Sequence, residues 1–310
     1  MILTVTLNPC IDRTVYLDRL TVGSYNRVQS TRSDPAGKGL NVSIVLKNLN
    51  EDTLCTGFNF SENGRLLEQL LDERDVAHQF LMAEGAIRTN IKLFDNSCQV
   101  MTEVNEAGPF VPPEAVEQLL QKADSLLERT DILVMSGSVP PGVPADIYQR
   151  LIRMAHKKQV KSILDASGEP FLLGLREKPY LIKPNTLEFE QAFHAPVSPR
   201  SIPMDTIRSI LEGGISRICI SMGEEGALFA DRGHIYRARP LPLKPQGLTG
   251  AGDSMVAGIC YAIRRRLGTD DMLRWAMASA GGSIRKPGTI LAEEADIREL
   301  LPQVEIEQIR

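Results

Sequence analysis

Apolar positions in this chain alternate between short strand-like runs and helical stripes. Ile2 to Leu7 predicts a first strand, closed by the turn Asn8-Pro9-Cys10-Ile11-Asp12, with Asp12 at the strand's carboxyl edge. Stretches at Arg13–Leu20 and Tyr25–Thr31, split by Thr21-Val22-Gly23-Ser24, predict a hairpin. Ala36-Gly37-Lys38-Gly39-Leu40-Asn41 then leads into a helix to about Asn48, followed by a strand at Thr53–Phe58 and a helix at Glu62–Leu71. Arg88-Thr89-Asn90-Ile91-Lys92-Leu93 and Gln99–Val104 alternate in character where other strands run apolar. They are predicted to join the hairpin in a small sheet outside the main core.

From Pro113 the alternation becomes regular. Val116, Leu119, Leu120, Ala123, Leu126 and Leu127 make one helical stripe. Strands are predicted at Asp131–Ser136, Lys161–Leu164, Tyr180–Lys183 and Ser216–Ser221, with a helix at Pro144–Lys158 and another opening at Thr186. Ala227 to Leu243 reads as short antiparallel strands around Asp231-Arg232-Gly233, and helices at Asp253–Arg266 and Asp270–Arg285 finish the core. This order predicts one α/β domain over residues 1–310. Its sheet is mostly parallel with helices on both faces, and lid strands from about 13–33 and 87–107 are inserted in it. Asp12, Gly137, Asp165, Lys183, Asn185 and Gly223 all follow strand ends, where open α/β sheets bind ligands.

Composition narrows the function classes. The net charge of −4 comes without a basic run, so nucleic acid is not an expected partner. No apolar run reaches about 18 residues, so no membrane span is expected, and Met1–Asn8 has no cationic lead of a signal peptide. Five scattered cysteines, Cys10, Cys55, Cys98, Cys219 and Cys260, read as reduced thiols in a cytoplasmic protein, with Cys10 beside a ligand loop. The four histidines receive no catalytic role. A dinucleotide oxidoreductase is excluded for lack of G-x-G-x-x-G after the first strand.

The stretch Gly247 to Gly258, G-L-T-G-A-G-D-S-M-V-A-G, carries the candidate chemistry. Gly250 and Gly252 let amides crowd a ligand, and the helix beginning at Ser254 points its positive dipole end there, an arrangement that attracts phosphate. Asp253 in the first turn could accept a proton from a hydroxyl. A loop with an aspartate capping a helix is the other reading of this stretch. Gly37-Lys38-Gly39 likewise reads either as an anion site or as a glycine pair beside an exposed lysine. Arg88, with Thr89, Asn90 and Lys92 for company, reads as a ligand residue.

Together these motifs resemble the ribokinase-like PfkB sugar kinases over essentially the whole chain. Gly250-Ala251-Gly252-Asp253-Ser254 with Ala257-Gly258 matches the carboxy-terminal signature, Gly37-Lys38-Gly39 with Asn41 the amino-terminal one, and Asn185 to Glu188 the N-x-x-E between them. Thr6-Leu7-Asn8-Pro9 with Asp12, the 88–93 segment, Ser136-Gly137-Ser138 and Ile182-Lys183-Pro184-Asn185 are similar to the branch acting on sugar phosphates. The resemblance implies ATP-dependent phosphorylation of a ketohexose phosphate: fructose 1-phosphate at C6, or alternatively tagatose 6-phosphate at C1. A non-catalytic sugar-phosphate sensor is the remote alternative. By the same resemblance Asp253 is the base, and Gly250, Ala251 and Gly252 form the anion hole. Asp12, Gly37, Asn41 and Ser138 contact sugar, while Lys38 and Arg88, with Arg27 as a third, clamp its phosphate. Lys183, Asn185, Ser221, Gly223, Glu225 and Gly226 hold ATP, and Glu188 organises Mg²⁺ through water. Ala36 before Gly-Lys-Gly favours fructose 1-phosphate, and Gly247-Leu248 depart from the Asp-Thr or Ser-Thr that helps some relatives bind a monovalent cation. Relatives pair lids, so a homodimer through the lid is expected.

Overall fold

A computed structural model describes residues 1–309. The main sheet has ten strands: β1 (Ile2–Thr6), β4 (Thr53–Glu62), β5 (His78–Ala86), β8 (Ile132–Ser136), β9 (Lys161–Asp165), β10 (Leu181–Ile182), β11 (Arg217–Ser221), β12 (Ala227–Asp231), β13 (Ile235–Ala238) and β14 (Ile306–Gln308). They run in the order β14-β13-β12-β11-β10-β9-β8-β1-β4-β5. Pairings from β5 to β11 are parallel and those from β11 to β14 antiparallel. The central parallel strands β1 and β8 are fully buried runs, as strands covered on both faces must be. Helices α1 (Lys38–Asn48), α8 (Ala251–Arg264), α9 (Thr269–Ile284) and α10 (Glu294–Leu300) pack side by side as one layer; α3 (Pro113–Leu127), α4 (Ile147–Lys157), α5 (Gly168–Leu175) and α6 (Thr186–Phe193) form another. Helices α2 (Gly64–Asp72) and α7 (Met204–Glu212) complete the set.

From β1 the chain moves outward to β4 and β5, then returns to β8 on the other side of β1 and continues to β9, β10 and β11. The order therefore reverses between β1 and β8, which opens a crevice at their carboxyl ends. Over that crevice lies a separate sheet, β3-β2-β6-β7, built from β2 (Cys10–Leu17), β3 (Val28–Ala36), β6 (Arg88–Asp95) and β7 (Val100–Val104).

Several expectations change. Asp12 lies inside β2, in register with Asp34 and Asn90, and not in a turn at the edge of the main sheet. Only Leu7–Pro9 separates β1 from β2, so pairing with β3 and β6 overrides the turn signal of Asn8-Pro9. The outer strand β5, helices α5, α7 and α10, and β14 were not expected. The second part of the antiparallel segment ends at Ala238, and Arg239 to Thr249 runs on without strand or helix.

Candidate active site

The carboxyl ends of β1, β8, β9, β10 and β11, the inner face of the small sheet and the first turns of α1, α6 and α8 enclose a cavity of about 510 Å³. Two glycines shape it. Gly250 caps α8 at φ 80°, and Gly37 precedes α1 at φ 138°, where a Cβ would come within 2.7 Å of Thr6. Both turns aim helix amides into the cavity. The Ala251 amide makes only a long 3.4 Å contact with the Leu248 carbonyl, as expected for a first-turn donor without an intrahelical partner. Gly258 acts elsewhere: a Cβ there would meet the Trp275 carbonyl at 2.4 Å, so this glycine lets α8 and α9 approach closely.

Asp253 is buried, and Asn41 from α1 donates to its Oδ2 at 2.7 Å. Burial and then the charge of Asp165 push the Asp253 carboxyl up to about 6, while Lys38, Asn41 and Lys183 oppose the rise. Asp165 stands at the carboxyl end of β9, 1% exposed, 3.5 Å from Lys38 Nζ and 3.1 Å from Lys183 Nζ. Its other oxygen accepts from Ser136 at 2.9 Å. Burial works against its charge, but the two lysines and the Ser136 hydroxyl outweigh it and hold Asp165 below the usual carboxylate range. Asp165 in turn raises Lys38 well above the ordinary lysine range. Lys183 sits beside Gly252, whose Cβ would lie 3.4 Å from its ammonium. The two lysines thus bracket the space next to Asp253.

On the lid side, Arg88 donates to the Asn8 carbonyl at 2.8 Å, the Glu106 carbonyl at 3.1 Å and Asn90 Oδ1 at 3.3 Å. None of these partners is a carboxylate, so the guanidinium charge is not cancelled by them. Ser138 accepts from Asn8 Nδ2 at 3.2 Å. Burial and the neighbouring Asp12 push the Cys10 thiol up to about 12, so it is a packing group and not a nucleophile.

Asn185 and Glu188 form a capping box on α6: Asn185 Oδ1 accepts from the Glu188 amide at 2.8 Å and Glu188 Oε2 from the Asn185 amide at 2.9 Å. The N-x-x-E spacing fixes the carboxylate while engaging one of its oxygens. No cluster of three metal-ligating side chains occurs among the described residues. Glu188, on the wall of the polar cavity with one oxygen already engaged, suits a hard cation that keeps most of its waters.

A second cavity, about 770 Å³, adjoins the first and shares Asn185, Ser221 and Gly252 with it. Its wall is apolar, with Leu241, Leu243, Met255, Met277 and Ile284. Gly223, Gly226 and Ala251 line this side, whereas Asp12, Gly37, Lys38, Asn41, Arg88, Ser138, Lys183, Glu188 and Gly250 line the first. Two expected residues fall outside both walls: Arg27 is exposed in the β2–β3 connection, and Glu225 is exposed in the turn after β11. Lys183 stands at the polar end and not with the apolar wall. Asn8, Asn90, Lys92, Glu103, Thr249 and Asp165 were not assigned roles from the sequence. Asp165 had a signal, its place after a strand.

A model of the pfkB family carbohydrate kinases matches residues 5–296. The chain belongs to that family. It is 33% identical to the 1-phosphofructokinase of Borreliella burgdorferi over 100% of this chain and 99% of the relative, and 32% identical to that of Bacillus subtilis over 100% of both. Phosphofructokinase-2 of Escherichia coli, solved in complex with potassium, superposes with a TM-score of 0.92 at 25% identity, covering 97% of this chain and 98% of that one. This pfkB-family chain is therefore a sugar-phosphate kinase of the 1-phosphofructokinase type, its fold a large mostly parallel sheet with helices and a small separate sheet. Such kinases use ATP as cosubstrate and typically a divalent metal. No helix of the described residues is long and apolar enough to cross a membrane.

Proposed function

We propose that the chain transfers the γ-phosphoryl group of ATP to C6 of fructose 1-phosphate, giving fructose 1,6-bisphosphate, with Asp253 as the base. The observation that carries this reading is one polar cavity holding a buried carboxylate, an amide cradle, two lysines and an arginine without a carboxylate partner. The adjoining apolar cavity suits a purine base. In this reading Asp12, Gly37 and Asn41 hold sugar hydroxyls, and Asp253 orients the acceptor hydroxyl and takes its proton late, as the oxygen–phosphorus bond forms and ADP leaves. The amides of Gly250, Ala251 and Gly252, with Lys183, stabilise charge on the moving phosphoryl. Lys38 and Arg88 meet the phosphate already on the sugar; Arg suits this because its fork pairs two oxygens. Asn185, Ser221, Gly223 and Gly226 would hold the nucleotide. Mg²⁺, held through water by Glu188, would neutralise charge on the nucleotide phosphates.

Initial rates with MgATP and fructose 1-phosphate, tagatose 6-phosphate, fructose 6-phosphate and fructose, compared as kcat/KM, test the assignment. Fructose 1-phosphate is expected to be preferred, and a preference for any other acceptor overturns it. Because Asp253 must be ionised to take a proton, kcat/KM is expected to rise with pH through about 6 and level above it. A profile flat between about pH 5 and 8 would remove Asp253 as the base.

A homodimer through the lid is also proposed. Val15, Leu93, Ile91, Val100 and Val104 alternate with the cavity-facing residues of the small sheet, and Ile91, Val100 and Val104 are exposed. Such a face is an interaction surface. Light scattering is expected to give a dimer that Ile91→Asp dissociates; a wild-type monomer counts against the pairing. Five free cysteines, four of them buried, support the cytoplasmic reading.

A further inference from the structure

One buried cation near the reacting centre has no part in the scheme above. Lys92, on the inner face of β6, is 2% exposed and places Nζ 2.8 Å from Asp12 Oδ2, 3.2 Å from Thr249 Oγ1 and 3.6 Å from Glu103 Oε1. An ammonium has three donors, and here the three neighbours come from three separate segments: β2, β7 and the loop entering α8. Thr249 Oγ1 also donates to Glu103 Oε1 at 3.4 Å, and Thr249 is the residue before Gly250. The other oxygen of Asp12 is already taken by Asn90 Nδ2 at 3.0 Å. Unlike Arg88, Lys92 stands between two carboxylates, so its charge is matched before any ligand arrives. It is not placed to serve as a phosphate clamp.

We infer that Lys92 is a positioning residue that fastens the lid to the phosphoryl cradle. It orients Asp12 toward the acceptor through one N–H and fixes the approach to the cradle at Thr249 through another. The lid carboxylate that grips the sugar and the amides that receive the phosphoryl group are thereby held in one register. A misplacement of about 1 Å between reacting groups can cost about 100-fold in rate, so a strut at this point has leverage on turnover. The inference rests on the kinase reading and adds a residue to it.

Thr249→Val is the cleaner test, because the side chain keeps its shape, is only partly buried and loses just the hydroxyl. With fructose 1-phosphate it is expected to lower kcat about tenfold while the KM for the sugar and the affinity for ATP stay within about twofold, since Asp12 keeps its ammonium. Lys92→Met is expected to raise the sugar KM at least tenfold as well, with ATP affinity by direct titration unchanged. In the double variant the loss in kcat should be close to that of Lys92→Met alone, because both changes break one contact. Wild-type turnover with Thr249→Val indistinguishable from it, or losses that simply multiply, would overturn the strut. Absence of acceptor-dependent turnover in the wild type would instead overturn the kinase reading beneath it. If Lys92→Met does not fold, Thr249→Val decides alone.

Discussion

Asp253→Asn is expected to lower kcat by about 10²- to 10⁴-fold, the contribution of a well-placed base, while sugar-phosphate and ATP affinities change only a few-fold. The asparagine carbonyl can still accept from Asn41, so the geometry survives and the proton acceptor does not. The same change should stabilise the fold. The carboxyl has its ordinary value of 3.8 when unfolded and about 6 when folded. The unfolded chain therefore releases this proton first, and ionised Asp253 destabilises the native state increasingly as pH rises from about 4 to about 6. Above that range the neutral amide is expected to gain on the order of 1–3 kcal/mol, and near pH 4 nothing. Thermal melts at the two pH values, run beside the kinetics, check both halves. Loss of ligand affinity in step with kcat would mark Asp253 as structural. A wild type that binds sugar phosphate without turning it over would favour the sensor.

Arg88→Leu should act on recognition. A guanidinium whose partners are two carbonyls and an amide oxygen can turn toward a phosphate without breaking an ion pair. Charge-assisted bonds contribute about 1.5–3 kcal/mol, so losing a bidentate clamp is expected to raise the KM for fructose 1-phosphate by about 100-fold. The KM for ATP should stay put, and the slow reaction with unphosphorylated fructose should hardly change. An equal loss on fructose and its phosphate would place the sugar's phosphate elsewhere.

What the sequence displayed well was whatever depends on near neighbours. The buried strands and their loops, the glycine-led start of α8 and the Asn185–Glu188 spacing are local patterns, and the fold keeps them. Asp12 was misplaced because Asn8-Pro9 reads as a full turn, although it only separates two strands. Strand β5 is at the sheet edge with a mixed burial pattern, so it lacks the continuous apolar run of its neighbours. The Asp12–Lys92 contact follows from parallel pairing of β2 and β6, whose partners Asp12 and Asn90 are 78 residues apart. No local period encodes such a pair. The apolar wall of the second cavity includes Pro240 to Leu243 and Pro245 in an irregular segment, where periodicity has nothing to report.

Three of the four connections between the small sheet and the main body are very short: Leu7–Pro9 into β2, Gly37 out of β3 and Ile87 into β6. At its base Asp34 accepts from Arg74 at 2.9 Å and from Thr289 at 2.7 Å, which braces β3 against the body. Asn8, Gly37, Lys38 and Arg88 lie in these connections or next to them, so Lys38 and Arg88, the two groups proposed to meet the sugar's phosphate, stand along a fulcrum. Strand β2 has eight residues and is therefore a lever arm of about 25 Å, over which a 10° rotation carries the far turns through about 4 Å. A ligand gripped at the pivot needs to shift its neighbours by only a fraction of that distance to swing the whole arm.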